Sequence, residues 1–279
     1  MLKDNVDERI KERIDLIKSG KAKNKLLSDS SYPERQRAND IFFIDQEISI
    51  IEELLPEILI LIKNIKKYFT NIWDQNNIVA SYLLLGKAYK NLQGVILSAK
   101  NGKVSSFVEL CRSAQEALDL VFVFLDTKGQ KHLERWFKGQ IITNGDAREI
   151  IDKSTNEMLL SMSKDPVLVK DAKRDIYWTY SLFTHSGYGS MLDMIDIFYE
   201  DFDYDDYSGF HYTKQYLHLL ESLVVNILLG LKNMFLIFKD LENLNKVEKL
   251  LSSFSSQFAS PEEIIETLKR YKKPILKEK

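Results

Sequence analysis

Residues 77–99 read NIVASYLLLGKAYKNLQGVILSA, and their pattern decides the fold. Apolar side chains fall at Ile78, Val79, Ala80, Tyr82, Leu83, Leu84, Leu85, Ala88, Leu92, Val95, Ile96 and Leu97, nearly all the way round a helix. A helix without a polar face is covered on every side, so this one belongs at the centre of a bundle. Gly86 and Gly94 lie inside it, each about 1 kcal/mol less favourable than alanine, a cost that close approach of a neighbouring helix offsets. Asn101 and Gly102 end it as a C-terminal cap.

The flanking segments carry the same period. From Ile41 onward, Ile48, Ile51, Leu54, Leu55, Ile58, Leu59, Ile62 and Ile65 recur at steps of three and four, a strong helix with Pro56 inside. Proline removes a backbone donor, so a kink is expected there, or a new helix with Pro56 in its first turn. Lys103 to Asp126 is a third helix, with Phe107, Leu110, Ala114, Leu118, Val121 and Leu125 on one side and Arg112, Glu116 and Asp119 opposite. A short aromatic stretch, 130–138, and a helix from about Asp146 follow; Asp171 to His185 reads as helical, and 210–238 as a long apolar helix. The expected fold is an all-α multi-helix bundle whose centre is 78–99, 103–126 and 210–238, with peripheral N- and C-terminal helices. Three regions are expected: a charged N-terminal helix and linker over 1–40, a helical core over 41–240, and C-terminal helices with a basic tail over 241–279.

Composition agrees. Only 11 glycines and 5 prolines occur in 279 residues, too few for turn-rich β folds or glycine-loop nucleotide folds. The net charge of −2 argues against a surface given over to nucleic acid, and no DNA partner is expected. The single cysteine, Cys111, has no internal disulfide partner, and no apolar leader opens the sequence, so a cytoplasmic location is expected. The most apolar stretch, 216–238, is interrupted by His218, Glu221, Asn226 and Lys232, which favours a buried core helix over a membrane span. No phosphate-binding glycine loop, zinc ligand cluster or Glu-x-x-His pair is present, so neither cofactor nor metal is expected.

One polar constellation carries chemistry. On the Asp171–His185 segment, Arg174, Tyr177, Ser181 and His185 share a helical face, with Ile176, Tyr180 and Phe183 opposite. A solvated face is the plain explanation, but large aromatics such as Tyr177 and Trp178 beside polar groups wall partly buried sites. Arg112 and Glu116 form a similar stripe, whose plain explanation is a surface ion pair worth under about 1 kcal/mol. Facing one another, the two stripes would combine guanidinium, carboxylate, hydroxyl and imidazole. Such a set binds an anion or performs acid and base chemistry on a phosphodiester.

The order Arg112 and Glu116 on one helix, then Trp136 with Gly139 and Arg148, then Tyr177, Ser181 and His185 on a later helix, resembles a group of bacterial all-helical proteins of unknown function. That group is loosely similar to HEPN domains, and the resemblance covers about residues 78–190. Many HEPN domains are metal-independent ribonucleases with an arginine a short distance before a histidine. The resemblance therefore implies a toxin- or defence-type ribonuclease using His185, Arg174, Ser181, Tyr177, Arg112 and Glu116, with RNA as the substrate. This sequence departs from that spacing, since Arg174 precedes His185 by eleven positions. A helical interaction or regulatory role, with a protein partner or a second copy and no membrane, therefore comes first. Two charged segments fit it: the acidic, aromatic stretch Tyr199 to Tyr207, and the lysine-rich tail from Lys269 to Lys279.

Overall fold

The computed structural model describes residues 32–101, 103–161, 195–196, 201–202 and 213–255. Among them the elements are α1 (Tyr32–Asn64), a 3-10 turn (Ile65–Tyr68), α2 (Asn77–Lys100), α3 (Val104–Leu125), a second 3-10 turn (Thr127–Gly129), α4 (Gln130–Phe137), α5 (Asn144–Ser161), a strand pair β1 (Ile195–Asp196) and β2 (Asp201–Phe202), α6 (Thr213–Ile237) and α7 (Leu241–Ser255). The fold is all-α and multi-helical, as the periodicity requires. Its β content among the described residues is one antiparallel pairing, Ile195 opposite Phe202 and Asp196 opposite Asp201, the second strand lying within the acidic stretch. The expected helix near the N-terminus, the Asp171–His185 helix, Gly102 and the basic tail lie outside the described residues.

Helix α1 runs through Pro56 unbroken, which sets aside the new helix that was one of the two outcomes expected there. It begins at Tyr32, so Pro33 stands in the first turn, where its missing N–H costs nothing, and it neither stops nor restarts at Pro56. An interior proline costs about 3 kcal/mol. Pro56 is exposed, and on either side of it Ile51 and Ile58 are fully buried. Burying a large aliphatic side chain is worth about 1.5–3 kcal/mol, so the flanking anchors offset the lost bond.

The described residues fall into two compact units. In the first, made of the segments Met1–Glu53, Asn91–Arg112 and Trp178–Glu221, the described core includes Ile48 and Ile51, Leu92 and Val95, Val108 and Cys111, and Leu220, all fully buried. α2 and α3 approach closely here: a Cβ built on Gly94 would meet Leu110 Cδ1 at 2.9 Å. Their connection is closed by the Lys103 N–H to the Ser98 carbonyl (2.9 Å) and the Asn101 side-chain amide to the Leu97 carbonyl (2.7 Å). Gly86 does not share the role expected of both glycines, because nothing lies within 4 Å of its missing Cβ.

The second unit comprises Leu54–Lys90, Ser113–Tyr177 and Ser222–Lys279. Within it α2, α3 and α6 meet at Gly230, where a Cβ would lie 3.2 Å from Leu85 Cδ2 and 3.7 Å from Val121 Cγ1. Leu85, Leu118 and Leu228 are fully buried around this crossing, so the three segments expected at the centre do supply the core. Helix starts are capped as short polar side chains dictate: Asn76 accepts from the Val79 N–H (3.0 Å), and Thr143 from the Asp146 N–H (3.1 Å). Between α3 and α4 the chain turns so tightly that a Cβ on Gly129 would sit 1.8 Å from the Val123 carbonyl oxygen.

Two glycines therefore have opposite expected outcomes. Gly86→Ala stabilises the protein by up to about 1 kcal/mol, through helix propensity and a less free unfolded chain. Gly129→Ala destabilises by more than about 3 kcal/mol, because backbone has to move. Urea unfolding of both variants checks the pair. Cys111 is fully buried and burial pushes its thiol up, so it stays unreactive towards a thiol reagent until denaturant is added.

Candidate functional site

The polar face of α3 is not a water-facing stripe. Asp119, placed opposite the apolar side from periodicity, is buried, and Glu116 and Arg112 are half-buried. In the second unit α5 approaches from one direction, and the Asn144 amide donates to Glu116 Oε1 at 2.8 Å. α6 approaches from another: the Asn226 amide donates to Gln115 Oε1 (2.9 Å), whose own amide donates to Asp119 Oδ1 (2.9 Å). The amphipathic pattern was read correctly, but the second side of α3 is covered by helices whose polar groups pair with it. Buried polar groups need such partners, and here they come from residues 28 and 111 positions away in sequence.

Around α4 a second set of contacts forms. Arg135 reaches Asp146 (3.6 Å) and Gln140 Oε1 (3.2 Å), with His132 Nδ1 at 3.5 Å from its guanidinium. Trp136 tilts against Phe124 at 5.6 Å and meets Phe137 edge-on at 5.0 Å, so it is a packing residue between α3 and α4. Gly139 adopts φ +76°, and the Gln140 N–H bonds back to the Arg135 carbonyl (3.0 Å), ending α4 in a left-handed cap. Asp126 ties α3 to α5 by accepting from the Ser154 hydroxyl. Burial works against its charge, but the bonds from Ser154 and from the Lys128 N–H, with the Lys128 charge, hold it below the usual carboxylate range.

The densest cluster of perturbed groups was not foreseen. At the α6–α7 corner Asp240 accepts from the Tyr68 hydroxyl and the Asn243 amide (2.6 Å), and pairs with Lys67 Nζ at 2.7 Å. Asn243, itself buried, accepts from the Asn64 amide at 2.9 Å. The Tyr68 ring lies flat on Phe238 at a centroid distance of 3.8 Å. Burial opposes the Asp240 charge, but Lys67, Tyr68 and Asn243 outweigh it and hold the carboxyl far below its ordinary range. Burial and the Asp240 carboxylate together push the Tyr68 hydroxyl up. The one local signal was Asp240 with Asn243 three residues on, a helix-start pattern; the pairing with Tyr68 spans 172 positions and leaves none. Chemically this is a clamp, because a carboxylate held by several donors is a poor base.

Of the six site residues expected from sequence, Arg112 and Glu116 are described, and Glu116 is engaged by Asn144. Arg174, Tyr177, Ser181 and His185 lie outside the described residues. Among the described residues no three His, Cys, Asp or Glu side chains group as metal ligands would. One described helix segment, Leu219–Ile237, is long and apolar enough to cross a membrane, and half of it is buried within the protein. No protein-family model, curated protein or solved structure matches this chain.

The clamp predicts an acid dependence. Asp240 has a depressed folded-state pKa, so its contribution is complete above the unfolded value of about 3.9 and is lost as pH falls towards the folded one. Asp240→Ala lowers stability by about 2–4 kcal/mol at neutral pH, by removing a helix cap and stranding its donors. Denaturant titrations from pH 7 downward show the gap to the native protein narrowing below about pH 4.

Proposed function

We propose that this chain is a cytoplasmic helical interaction or regulatory protein that works without a cofactor, by holding a partner. The observation that carries the reading is the set of large apolar side chains left in water. Trp73 is 83% exposed and Leu241 68%, and Ile72 and Ile237 are exposed as well. Single exposed leucines are ordinary on a protein surface, but a fully projecting tryptophan with aliphatic neighbours marks a contact surface. Glu116, meanwhile, serves the internal packing of α3 on α5, which weighs against its use as a catalytic carboxylate.

The alternative is the metal-independent ribonuclease using Arg112, Glu116, Arg174, Tyr177, Ser181 and His185. Two measurements separate the readings. The tagged full chain is expected to retain a component of its host's extract that Trp73→Ala releases, and to leave total RNA intact in the presence of a chelator. RNA cleavage that disappears in His185→Ala moves the assignment to the ribonuclease. A strict monomer by light scattering that retains nothing refutes the interaction role.

A further inference from the structure

One corner of the second unit gathers these apolar side chains with cations. The 3-10 turn after α1 and the α6–α7 corner are held side by side by the Tyr68–Asp240 hydrogen bond, the Lys67–Asp240 ion pair and the Tyr68–Phe238 stack. Ile237 and Leu241, which flank Phe238 and Asp240 of this joint in sequence, are exposed. Ile72 and Trp73 are exposed on the loop that follows the turn; Trp73 is five residues beyond Tyr68, so its Cα lies within about 17 Å of Tyr68's. Lys66, Lys67 and Lys239 are all exposed there, on a chain whose overall charge is −2. Among the described residues Lys66 and Lys239 form no ion pair. Of the nearby acids, Asp240 is neutralised by Lys67, Glu242 pairs with Lys246 at 2.7 Å, and Asp74 remains.

Lys239 adds an independent observation. Its φ of 54° lies in the left-handed region where glycine is free of strain and a side chain costs about 1 kcal/mol. That residue ends α6, since the Asp240 N–H bonds back to the Phe235 carbonyl at 2.9 Å, and it places a cation at the corner where glycine is usual.

We propose that this corner is a docking surface for the anionic face of a lipid bilayer. The inference rests on the interaction reading and replaces its expectation of no membrane with a bilayer surface as the partner. Projecting Trp and aliphatic side chains enter the headgroup region separately, while the surrounding lysines meet phosphate. Tryptophan is favoured at that depth because its ring is apolar and its N–H is polar. Aliphatic side chains give no stacking surface for bases, which favours lipid over single-stranded nucleic acid.

The test is co-sedimentation of the full chain with vesicles of phosphatidylcholine alone and of phosphatidylcholine mixed with phosphatidylglycerol. Binding is expected to the mixed vesicles only and to fall with added salt. Each surface lysine contributes about fivefold, so Lys66→Gln with Lys239→Gln weakens partition about 25-fold. Trp73→Phe leaves the fold unchanged by circular dichroism and removes most of the fluorescence quenching that brominated lipid produces in the native protein. Equal binding to both vesicle types, no binding to either, or partition unchanged in the lysine variant overturns the proposal. Affinity for single-stranded RNA, lost in these variants while vesicles are ignored, overturns it in favour of nucleic acid. If vesicles fail but a protein component is retained through Trp73, the bilayer assignment falls and the interaction reading stands.

Discussion

The second unit depends on the absence of a side chain at Gly230. Leu85 of α2 and Leu118 and Val121 of α3 close over that gap, which lets the apolar α6 lie directly on both helices. Asn226 and Ser222 stand one and two turns earlier on the same face, and Asn226 donates to Gln115 on α3 and lies 3.5 Å from Ser222. Register is set twice at this seam, by shape and by hydrogen bonding. A shift of one turn that drove Met234 into the gap would bring Gly230 opposite Gln115 and deprive Gln115 of the Asn226 amide. Unpaired buried polar groups cost about 1–3 kcal/mol each, so the alternative packing is strongly disfavoured.

With α6 held, its C-terminal end has a defined place, and the clamp at Asp240 uses it. That carboxylate caps α7 through the Asn243 N–H at 3.2 Å and draws in Lys67 and Tyr68 from the turn after α1. The beginning and end of the described chain of this unit are thus joined through one ionised group. Lys232 on α6 and Glu248 on α7, 3.0 Å apart, brace the same helix pair from a more exposed position, where an ion pair contributes little.

How much was legible in the sequence follows from range. The α1, α2, α3 and α6 helices announce themselves through their apolar period, and the buried residues Ile48, Leu85, Leu118 and Ile227 are ones any helical wheel selects. At Pro56 a local rule about donors allowed a kink or a new helix, and the helix does not restart there because large side chains are buried about a turn away on either side. Asp119 lies opposite the apolar side by periodicity and yet is buried, where Gln115, itself held by Asn226, donates to it. Gly129 and Gly230 carry no signature that separates them from Gly86; only the neighbouring backbone and side chains do so. Two of the six candidate site residues, Arg112 and Glu116, were correctly placed on one helix, but the Glu116–Asn144 contact depends on how α5 returns to α3, which no periodicity encodes.

Cys111 has a practical consequence. It is the only thiol in 279 residues, and it lies on the buried side of α3 with no exposed surface. A cysteine introduced at any water-facing position becomes the single point at which a dye, spin label or cross-linker attaches to the folded chain. Distances between chosen pairs of such positions become measurable without first removing a native residue. The protein is in that sense already prepared for spectroscopy in solution.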